Sequence, residues 1–311
     1  GVIYALGCRF ESCRAHMITV LTGGKSSERT VALWSAETVV VALKSLKINH
    51  TVIDCAKVDW LGTLKNAQPQ LAILALHGQF GEDGQIQKIL ERENIAYTGS
   101  GPMACRLAWD KIEAKKLVQN MGLATPVWSV VGDSERPSNL PVVVKPAKEG
   151  SSFGVTIVKT AIKLVPAITA AKKFGVKVLI EEYIEGTELT CGVIDLRGKI
   201  ETLPLVEIIP KNQFFDFAAK YDGKSCEEIV PARISNELTK KIQKQSTEIF
   251  RQFGCRHYAR IDWILPDQIP YFLELNTLPG LTKNSLIVKE LRSAGISMEK
   301  FVELLAHKAL I

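Results

Sequence analysis

Short apolar runs alternate with amphipathic stretches through the first third of the chain. The strand-like runs lie at 18–21, 51–54 and 71–76, and helical patterns cover about 28–46 and 85–93. Gly23 and Gly24 follow the first run, and Ser26 and Ser27 are the predicted caps of the helix after it. Strands separated by helices predict a parallel, doubly wound α/β sheet.

The pattern changes after residue 110, where strands and helices no longer alternate one for one. Predicted helices cover 110–121, 162–174, 236–253 and 298–308, and predicted strands cover 142–146, 155–159, 178–182, 201–209, 258–265 and 271–275. Mixed order of this kind is typical of α+β structure. The sequence therefore predicts an α/β region followed by an α+β region.

Composition narrows the class of protein. A chain of 311 residues is long for one core and favours two or three domains. Hydrophobic (46%) and charged (23%) fractions are near the globular average, which argues against a disordered or fibrous chain. The net charge is +6 and no Lys/Arg run exceeds two residues, so nucleic acid is not an expected partner. The apolar runs fall well short of the ~20 residues that a membrane span needs.

The cysteines indicate the cellular compartment of the protein, and residues 1–16 bear on where its natural sequence starts. None of the seven cysteines forms a C-x-x-C pair, so no zinc or dithiol motif is predicted, and their apolar neighbours predict reduced thiols in a cytoplasmic protein. Residues 1–16 lack the order of a signal peptide, because Arg9 and Arg14 follow the apolar part. We expect Met17 to be the natural start and the preceding segment to be extraneous or loosely held.

Two strand patterns joined by a turn bring four polar side chains to one face. Arg260 and Asp262 lie two apart on one strand, and Glu274 and Asn276 on the next. A turn centred on Gln268 sets Asp262 opposite Glu274 and Arg260 opposite Asn276. Two opposed carboxylates repel each other unless a positive charge lies between them. The side-chain oxygens of Asp262, Glu274 and Asn276 suit Mg²⁺. Arg260 would then bind anionic oxygens and not the metal. The alternative is a solvated sheet face on which the arginine neutralises the acids.

A glycine- and serine-containing loop at 147–154 joins two other predicted strands. Gly150 and Gly154 let the backbone approach an anion, and Ser151 adds hydroxyl and amide donors. Lys145, at the end of the preceding strand, supplies a point charge for phosphates. The sequence thus indicates a phosphate-covering loop, and the alternative is a plain glycine-containing hairpin.

Nine segments along the chain from Met17 match the motifs of one known family, in the order that the family has them. They are GGKSSE (23–28), HGQFGEDG (77–84), YTGSG (97–101), DK (110–111), VVKPAKEGSSFG (143–154), EEYIEGTELT (181–190), AKY (219–221), ARID (259–262) and LELNTLPGLTKNSL (273–286). With them the sequence resembles the D-alanine–D-alanine ligases of the ATP-grasp superfamily. HGQFGEDG and NTLPGLTKNSL are the segments that point to this family within the superfamily.

The resemblance implies a fold and an activity. The implied ATP-grasp fold has a parallel, doubly wound α/β domain at 17–111 and two α+β domains, 112–198 and 199–311, that clamp ATP. The implied activity is the ATP-dependent joining of two D-alanines through an acyl phosphate, with release of ADP and phosphate, for peptidoglycan and hence cell-wall synthesis. Two Mg²⁺ ions, for which Mn²⁺ can substitute, and a cytoplasmic homodimer are also implied.

The resemblance further implies contacts for ATP and metal. Phosphates would be bound by Lys111 and Lys145, adenine by Glu181, Glu182, Tyr183 and Ile184, the ribose by Glu188, and two Mg²⁺ by Asp262, Glu274 and Asn276. Lys220 would lie on a loop at about 212–226 that closes over the phosphates.

Substrate contacts follow from the same resemblance. Glu28 would accept the ammonium of the first D-alanine, within a hydrogen-bonded group that includes Ser151 and Tyr221. His77 would lie near the substrates. The remaining implied roles are the oxyanion contacts of Arg260 and the Gly280 backbone, and the contacts of Ser285 and Leu286 with the carboxylate of the second D-alanine.

The chain departs from the family pattern at one pair of residues, and two other functions remain as alternatives. Phe217 and Ala218 replace a common Tyr-Glu pair, which leaves the contacts of the closing loop open. Tyr221 is kept, which favours a dipeptide over an ester, but a ligase that takes D-lactate or D-serine as second substrate is one alternative. The other is a non-catalytic nucleotide-binding module, which predicts loss of charged site residues that this chain retains.

Overall fold

The computed structural model describes residues 17–133, 137, 139–196, 198–210 and 226–310, whose strands form three sheets. No helix in these ranges is long and apolar enough to cross a membrane. Residues 1–16 lie outside the described ranges. So do Lys220 and Tyr221, together with the rest of the segment 211–225.

The first sheet is parallel and has the strand order β2-β1-β3-β4. Its strands are β1 (Ile18–Thr22), β2 (His50–Asp54), β3 (Leu71–Leu74) and β4 (Ala96–Tyr97). The connecting helices are α1 (Arg29–Ser45), α2 (Trp60–Ala67) and α3 (Gln85–Arg92), and α4 (Pro102–Trp109) follows the last strand. Every residue of β1 and β3 is buried, as expected for strands covered by helices on both faces.

The second sheet is antiparallel, with the order β5-β8-β6-β7. Its strands are β5 (Trp128–Val130), β6 (Val142–Pro146), β7 (Thr156–Val158) and β8 (Val178–Glu182). Helix α5 (Lys111–Asn120) precedes the sheet, and a 3-10 turn (Ala161–Lys163) followed by α6 (Leu164–Lys172) connects β7 to β8. The loop between β6 and β7 is the predicted phosphate-covering loop.

The third sheet has the order β12-β11-β9-β13-β14, with β10 paired to β9. Its strands are β9 (Thr187–Asp195), β10 (Ile200–Thr202), β11 (Val206–Pro210), β12 (Cys226–Ile229), β13 (Tyr258–Leu265) and β14 (Tyr271–Asn276). Helices α7 (Asn236–Gln252), α8 (Leu286–Ser293) and α9 (Met298–Leu310) complete the described chain. Because β9 pairs with β13 along its full length, the third sheet begins before the predicted domain boundary at 198.

The hydrophobic cores tie the parts of the chain together. Ile287 and Leu291 of α8 and Phe301 of α9 are buried in the same core as β1 and β3 of the first sheet. Ala114 and Val118 of α5 are buried in the core under the third sheet. The N-terminal sheet is therefore closed by the last two helices, and the helix that precedes the second sheet packs on the third.

Several predicted elements need correction. Ser26 and Ser27 do not cap α1: Glu28 is the cap residue, while the Ser26 hydroxyl donates to the His77 carbonyl at 2.7 Å. The predicted strand 201–209 is two strands, β10 and β11, separated around Pro204. Sequence patterns also missed β9, whose alternation is interrupted by Gly192.

Candidate active site

The β13–β14 hairpin has the predicted register at the point where its acids lie. Asp262 is opposite Glu274, and Arg260 is opposite Asn276. The register shifts immediately after Asp262, so pairing around a turn at Gln268 holds for these four residues and fails beyond them. A bulge at this point increases local twist and aims the preceding side chains away from the regular ladder.

Arg260 and Asp262 form a two-pronged ion pair. The arginine Nε donates to Oδ1 and Nη2 to Oδ2, each at 2.8 Å, and Thr190 Oγ1 donates to Oδ1 at 2.6 Å. The arginine side chain is only 12% exposed. Burial alone would lower the pKa of Arg260, but the Asp262 carboxylate outweighs burial and raises it. Both oxygens of the aspartate are thus engaged within the protein.

Lys111 supplies the positive charge nearest the second acid of the hairpin. Its Nζ lies 3.3 Å from Glu274 Oε2 and donates to the Glu149 carbonyl at 2.7 Å. Asn276 Oδ1 accepts from the Leu278 amide at 3.1 Å, which orients the amide group. Each carboxylate of the hairpin therefore has a cationic partner.

The donor set of the hairpin fits a hard cation. Asp262, Glu274 and Asn276 offer only oxygen ligands, and their mixture of carboxylates and a carboxamide is the chemistry that Mg²⁺ and Mn²⁺ prefer. Among the described residues no group of three His, Cys, Asp or Glu side chains is arranged to hold a metal. A site here depends on the amide oxygen as its third protein ligand.

A second buried ionic group, the lysine cluster, consists of Lys115, Glu181 and Lys145. Lys145 Nζ lies 2.8 Å from Glu181 Oε2, and Lys115 Nζ lies 3.2 Å from Oε1. The second contact is an ion pair, because Glu181 Oε1 has no hydrogen-bond partner among the described residues. Lys115 Nζ instead donates to Thr125 Oγ1 at 2.7 Å, and that hydroxyl donates to the Phe272 carbonyl at 2.9 Å.

Burial controls the charges of the lysine cluster. Lys115 is fully buried, and desolvation lowers its pKa to about 8 although Glu181 attracts its positive charge. Desolvation works to raise the pKa of Glu181, but Lys115 and Lys145 together hold it below its ordinary value. Two ammonium groups on one carboxylate leave a surplus positive charge, and Lys145 is the lysine of the cluster that lines the larger cavity described below, together with Glu181. The cluster is suited to an anion.

The phosphate-covering loop meets α1 at the Glu28 carboxylate. Ser151 Oγ donates a short hydrogen bond to Glu28 Oε1. A Cβ on Gly78 or Gly150 would lie 2.7 or 2.8 Å from Glu28 Oε2, and Gly78 has a φ of +67°. Both glycines are therefore required for the close packing of backbone around this carboxylate. Glu28 is buried but lines the smaller cavity described below.

His77 organises the loop that follows β14. Its Nδ1 lies 3.0 Å from the Leu278 carbonyl, which can only accept, so Nδ1 donates. Ser35 Oγ accepts the Leu281 amide at 3.0 Å and lies in hydrogen-bond contact with His77 Nε2, also at 3.0 Å. The imidazole thus fixes both ends of the segment that contains Gly280.

Gly280 and Ser285 lie where this segment enters α8. Ser285 Oγ accepts the Thr282 amide at 3.0 Å, and a Cβ on Gly280 would lie 2.9 Å from that oxygen. Ser285 precedes the first turn of α8, which begins at Leu286. Amides of a first helical turn have no acceptor within the helix, so this end favours a carboxylate.

Two adjoining cavities contain these groups. The larger, of about 630 Å³, is lined by Lys145, Tyr183, Ile184 and other residues of the second and third sheets. The smaller, of about 90 Å³, is lined by Glu28, His77, Arg260 and other residues of the first and third sheets. The residues that line both are Lys111, Glu149, Glu188, Ile208, Asp262 and Glu274. The paired acids of the hairpin therefore lie at the junction of the two cavities.

The segment from β8 to β9 forms one wall of the larger cavity. Glu182 uses Oε1 to accept the Val127 amide at 2.8 Å, and the Tyr183 amide donates to the Pro141 carbonyl at 3.1 Å. Glu188 lies on β9 at the mouth shared with the smaller cavity. The backbone of residues 181–184 is held at both sides, which gives a flat ligand an ordered edge.

Comparison with known proteins assigns the family. A family model described as "D-ala D-ala ligase C-terminus" matches residues 117–307, more than half of the chain. The chain belongs to the D-alanine–D-alanine ligase family. A D-alanine–D-alanine ligase of Desulforamulus reducens is 38% identical over 307 residues, which cover 94% of this chain and 98% of the relative. One of Trichlorobacter lovleyi is 40% identical over 302 residues, covering 94% and 95%.

A solved structure gives the same answer for the fold. The crystal structure of the D-alanine–D-alanine ligase from Bacillus anthracis complexed with ATP matches with a TM-score of 0.82 and 33% identity, covering 95% of this chain and 97% of that one. The predicted ATP-grasp architecture is confirmed. So is the resemblance of the sequence to this ligase family.

The structure brings most of the predicted site residues together, and it adds three that sequence reasoning missed. Lys115 contacts Glu181, and Thr190 donates to Asp262. Glu290 of α8 is fully buried close to Arg260. A lysine four residues after Lys111 on the predicted helix and an acid among apolar residues of α8 were the available signals. Tyr221 and Lys220 lie outside the described residues, so their predicted roles stay predictions.

Proposed function

We propose that this chain joins two D-alanine molecules to D-alanyl-D-alanine at the expense of ATP, through an acyl phosphate. The observation that carries this proposal is the junction of the two cavities at Asp262, Glu274 and Lys111. A nucleotide in the larger cavity and a carboxylate in the smaller one would meet at this junction. The family of ligases to which the chain belongs supports the same reaction.

ATP is assigned to the larger cavity, whose volume of about 630 Å³ falls within the range of small-molecule sites. Lys145, held by Glu181, and Lys111, held by the Glu149 carbonyl, supply fixed positive charges for the phosphates. The ordered edge at 181–184 is the place for adenine and Glu188 for the ribose. Lys220, on the predicted closing loop, would add a further charge.

Asp262, Glu274 and Asn276 are the residues that would hold Mg²⁺, or Mn²⁺ in its place. When bound, the metal would neutralise charge on the transferred phosphoryl group. The cations that contact these two acids are Lys111, beside Glu274, and Arg260, beside Asp262. They offset the two carboxylates in the absence of a metal ion, which explains how the acids stay close together in the fold.

The smaller cavity is assigned to the amino acids. Glu28, oriented by Ser151 and by the predicted contact with Tyr221, would accept the ammonium of the first D-alanine. Ser285 and Leu286 at the start of α8 would receive the carboxylate of the second. His77 acts on the reaction indirectly, because it fixes the segment that carries Gly280.

The reaction proceeds in two steps. The carboxylate of the first D-alanine attacks the γ-phosphorus of ATP, which forms an acyl phosphate and releases ADP. The amine of the second D-alanine, once deprotonated, attacks the acyl carbon, and the oxyanion that forms lies by Arg260 and the Gly280 amide before phosphate leaves. Removal of one such fixed charge is expected to slow the reaction by ~10²-fold or more.

Further features of the proposal come from the family. A homodimer, a cytoplasmic location and a role in peptidoglycan precursor synthesis are expected of a ligase of this type. The described residues contain no membrane-spanning helix, and the five described cysteines are free thiols.

A phosphate-release assay tests the proposal. Purified protein with ATP and Mg²⁺ should release phosphate when D-alanine is added and not when L-alanine is added. Mass spectrometry of the product should show the dipeptide. Release that does not depend on D-alanine would overturn the assignment, and a mixed product with D-lactate or D-serine present would redefine the second substrate.

A further inference from the structure

Glu290, on the face of α8 that packs under the third sheet, is a fully buried carboxyl group that the proposed reaction does not use. Its Oε1 accepts the Gly192 amide at 2.8 Å. Its Oε2 is buried and has no hydrogen-bond partner among the described residues. A buried oxygen without a partner carries a desolvation penalty, so this carboxyl needs an explanation.

Gly192 creates the space for this group. A Cβ at this position would lie 2.6 Å from Glu290 Oε2, closer than any side chain tolerates. In the ladder between β9 and β13, Gly192 is the direct partner of Arg260. The glycine and the glutamate therefore form a matched pair immediately beside the arginine of the active site.

Three carboxylates stabilise the charge of Arg260, namely Asp262, Glu274 and Glu290. The first two are the acids assigned to the metal. Both oxygens of Asp262 now accept from the guanidinium, and an oxygen that binds Mg²⁺ is less available to the arginine. With Asp262 and Glu274 engaged by a metal ion, Glu290 is the one carboxylate of these three that can still accept from the guanidinium.

We propose that Glu290 is a positioning residue that holds Arg260 beside the reacting carbonyl when Asp262 turns to the metal. When Asp262 engages the metal, the buried oxygen Oε2 becomes the alternative acceptor for the guanidinium, and Gly192 leaves the space that this oxygen occupies. This inference rests on the proposed metal role of the hairpin acids. It predicts that loss of the Glu290 charge ties Arg260 more firmly to Asp262 and so weakens metal binding.

The test measures Mg²⁺ binding in the absence of D-alanine. The full chain is mixed with saturating ADP at pH 9, above the Glu290 pKa of about 8, so that this side chain is ionised. Thermal stabilisation is recorded as Mg²⁺ is added, with ADP affinity in EDTA as the metal-free reference. Glu290→Gln keeps the acceptor for the Gly192 amide and the side-chain volume but removes the charge. We expect its apparent Mg²⁺ affinity to fall about tenfold, with the metal-free ADP affinity unchanged. Glu248→Gln, at a half-buried acid of α7, is the matched control and should leave both unchanged.

A double-mutant cycle shows whether the effect acts through Arg260. In an Arg260→Met background, or Arg260→Lys if the former does not fold, Glu290→Gln should change the apparent Mg²⁺ affinity less than twofold. A tenfold fall in that background would mean that the Glu290 charge acts on the metal directly through space, and would overturn the proposal. Unaltered Mg²⁺ affinity in Glu290→Gln alone would overturn it as well.

Gly192→Ala provides an independent variant. Its Cβ should displace the Glu290 carboxyl and lower the Mg²⁺ affinity as Glu290→Gln does, while Gly192→Ala/Glu290→Ala should regain thermal stability relative to Gly192→Ala. Normal Mg²⁺ affinity in Gly192→Ala would contradict the proposal. Because the readout needs no D-alanine, a failure of D-alanine ligation would leave this result standing, and the two proposals fail separately.

Discussion

Two buried ionic groups of this molecule differ in their ratio of cations to acids. In the lysine cluster, Lys115 and Lys145 share the single carboxylate of Glu181. Around Arg260, by contrast, three carboxyl groups face one guanidinium, and Lys111 contacts one of them. The first arrangement leaves positive charge beside the larger cavity, and the second places more acids than cations at the junction of the cavities. One fold thus prepares a place for phosphate and a place for a cation at neighbouring positions.

The same physics produces opposite shifts in the two groups. Desolvation favours the neutral form of any buried ionisable group, so it lowers the pKa of Lys115 to about 8 and raises the pKa of Glu290 to about 8. The residue that the structure holds least firmly in its charged form is therefore a base in one group and an acid in the other. Neither Lys115 nor Glu290 is assigned a contact with a ligand, because each acts through a neighbouring side chain.

The largest expected effect comes from removal of an acid at the cavity junction. Glu274→Ala should reduce turnover by ~10³-fold or more, because both the metal site and the contact of Lys111 are lost. Circular dichroism and thermal unfolding should show an intact fold. Asp267→Ala, in the exposed turn of the same hairpin, should keep normal turnover. Appreciable activity of Glu274→Ala would mean that the hairpin is not the metal site.

Lys115→Met should reveal the cost of an incomplete lysine cluster. The variant leaves the buried Glu181 with one partner in place of two, and we expect the free energy of unfolding to fall by about 3 kcal/mol. Urea unfolding provides the measurement. Lys116→Met, on the exposed face of the same helix, should have almost no effect. Equal stability of the two variants would show that burial does not govern this cluster.

A pH series should separate the two groups by sign. The unfolded chain ionises Glu290 near its ordinary pKa of 4.5, whereas the folded protein does so near 8, so its contribution to stability is lost as pH rises between these values. Relative to the wild type, Glu290→Gln should gain stability over this window at up to about 1.4 kcal/mol per pH unit, and no further above pH 8. Urea unfolding at pH 5, 6.5, 8 and 9 tests this. A pH-independent difference would contradict the buried-acid assignment.

The smallest effect is expected at an ion pair of the larger cavity whose cation is exposed and whose acid, Glu207, is buried. Arg233 pairs with Glu207 at 2.8 Å, but its side chain is 61% exposed. Arg233→Ala should therefore leave the melting temperature unchanged within the scatter of repeated scans, and this change should stay far below that of Lys115→Met. A comparable loss in both variants would mean that pairing, and not burial, distinguishes the ionic groups.

The two groups also differ in how far the sequence could predict them. Arg260, Asp262, Glu274 and Asn276 lie on adjacent strands of one hairpin, so period-two alternation and a turn sufficed to place them opposite one another. The bulge after Asp262 was not predictable, because it depends on how the strand bends in the sheet.

The lysine cluster could not be derived from local pattern. Lys115 lies on α5 and Glu181 on β8, and nothing in either segment specifies that α5 packs so that its lysine reaches that strand. Glu290 likewise pairs with Gly192, nearly a hundred residues away in the chain. Such contacts are set by the packing of whole elements, and they were missed for that reason.

In the proposed reaction, a carboxylate in the smaller cavity attacks the γ-phosphorus of ATP at the junction of the two cavities. D-Alanine labelled with ¹⁸O in its carboxylate tests this step directly, with ATP and Mg²⁺ in a single reaction. We expect each phosphate released with the dipeptide to carry one ¹⁸O from the amino acid. Unlabelled phosphate formed together with the dipeptide would overturn this mechanism.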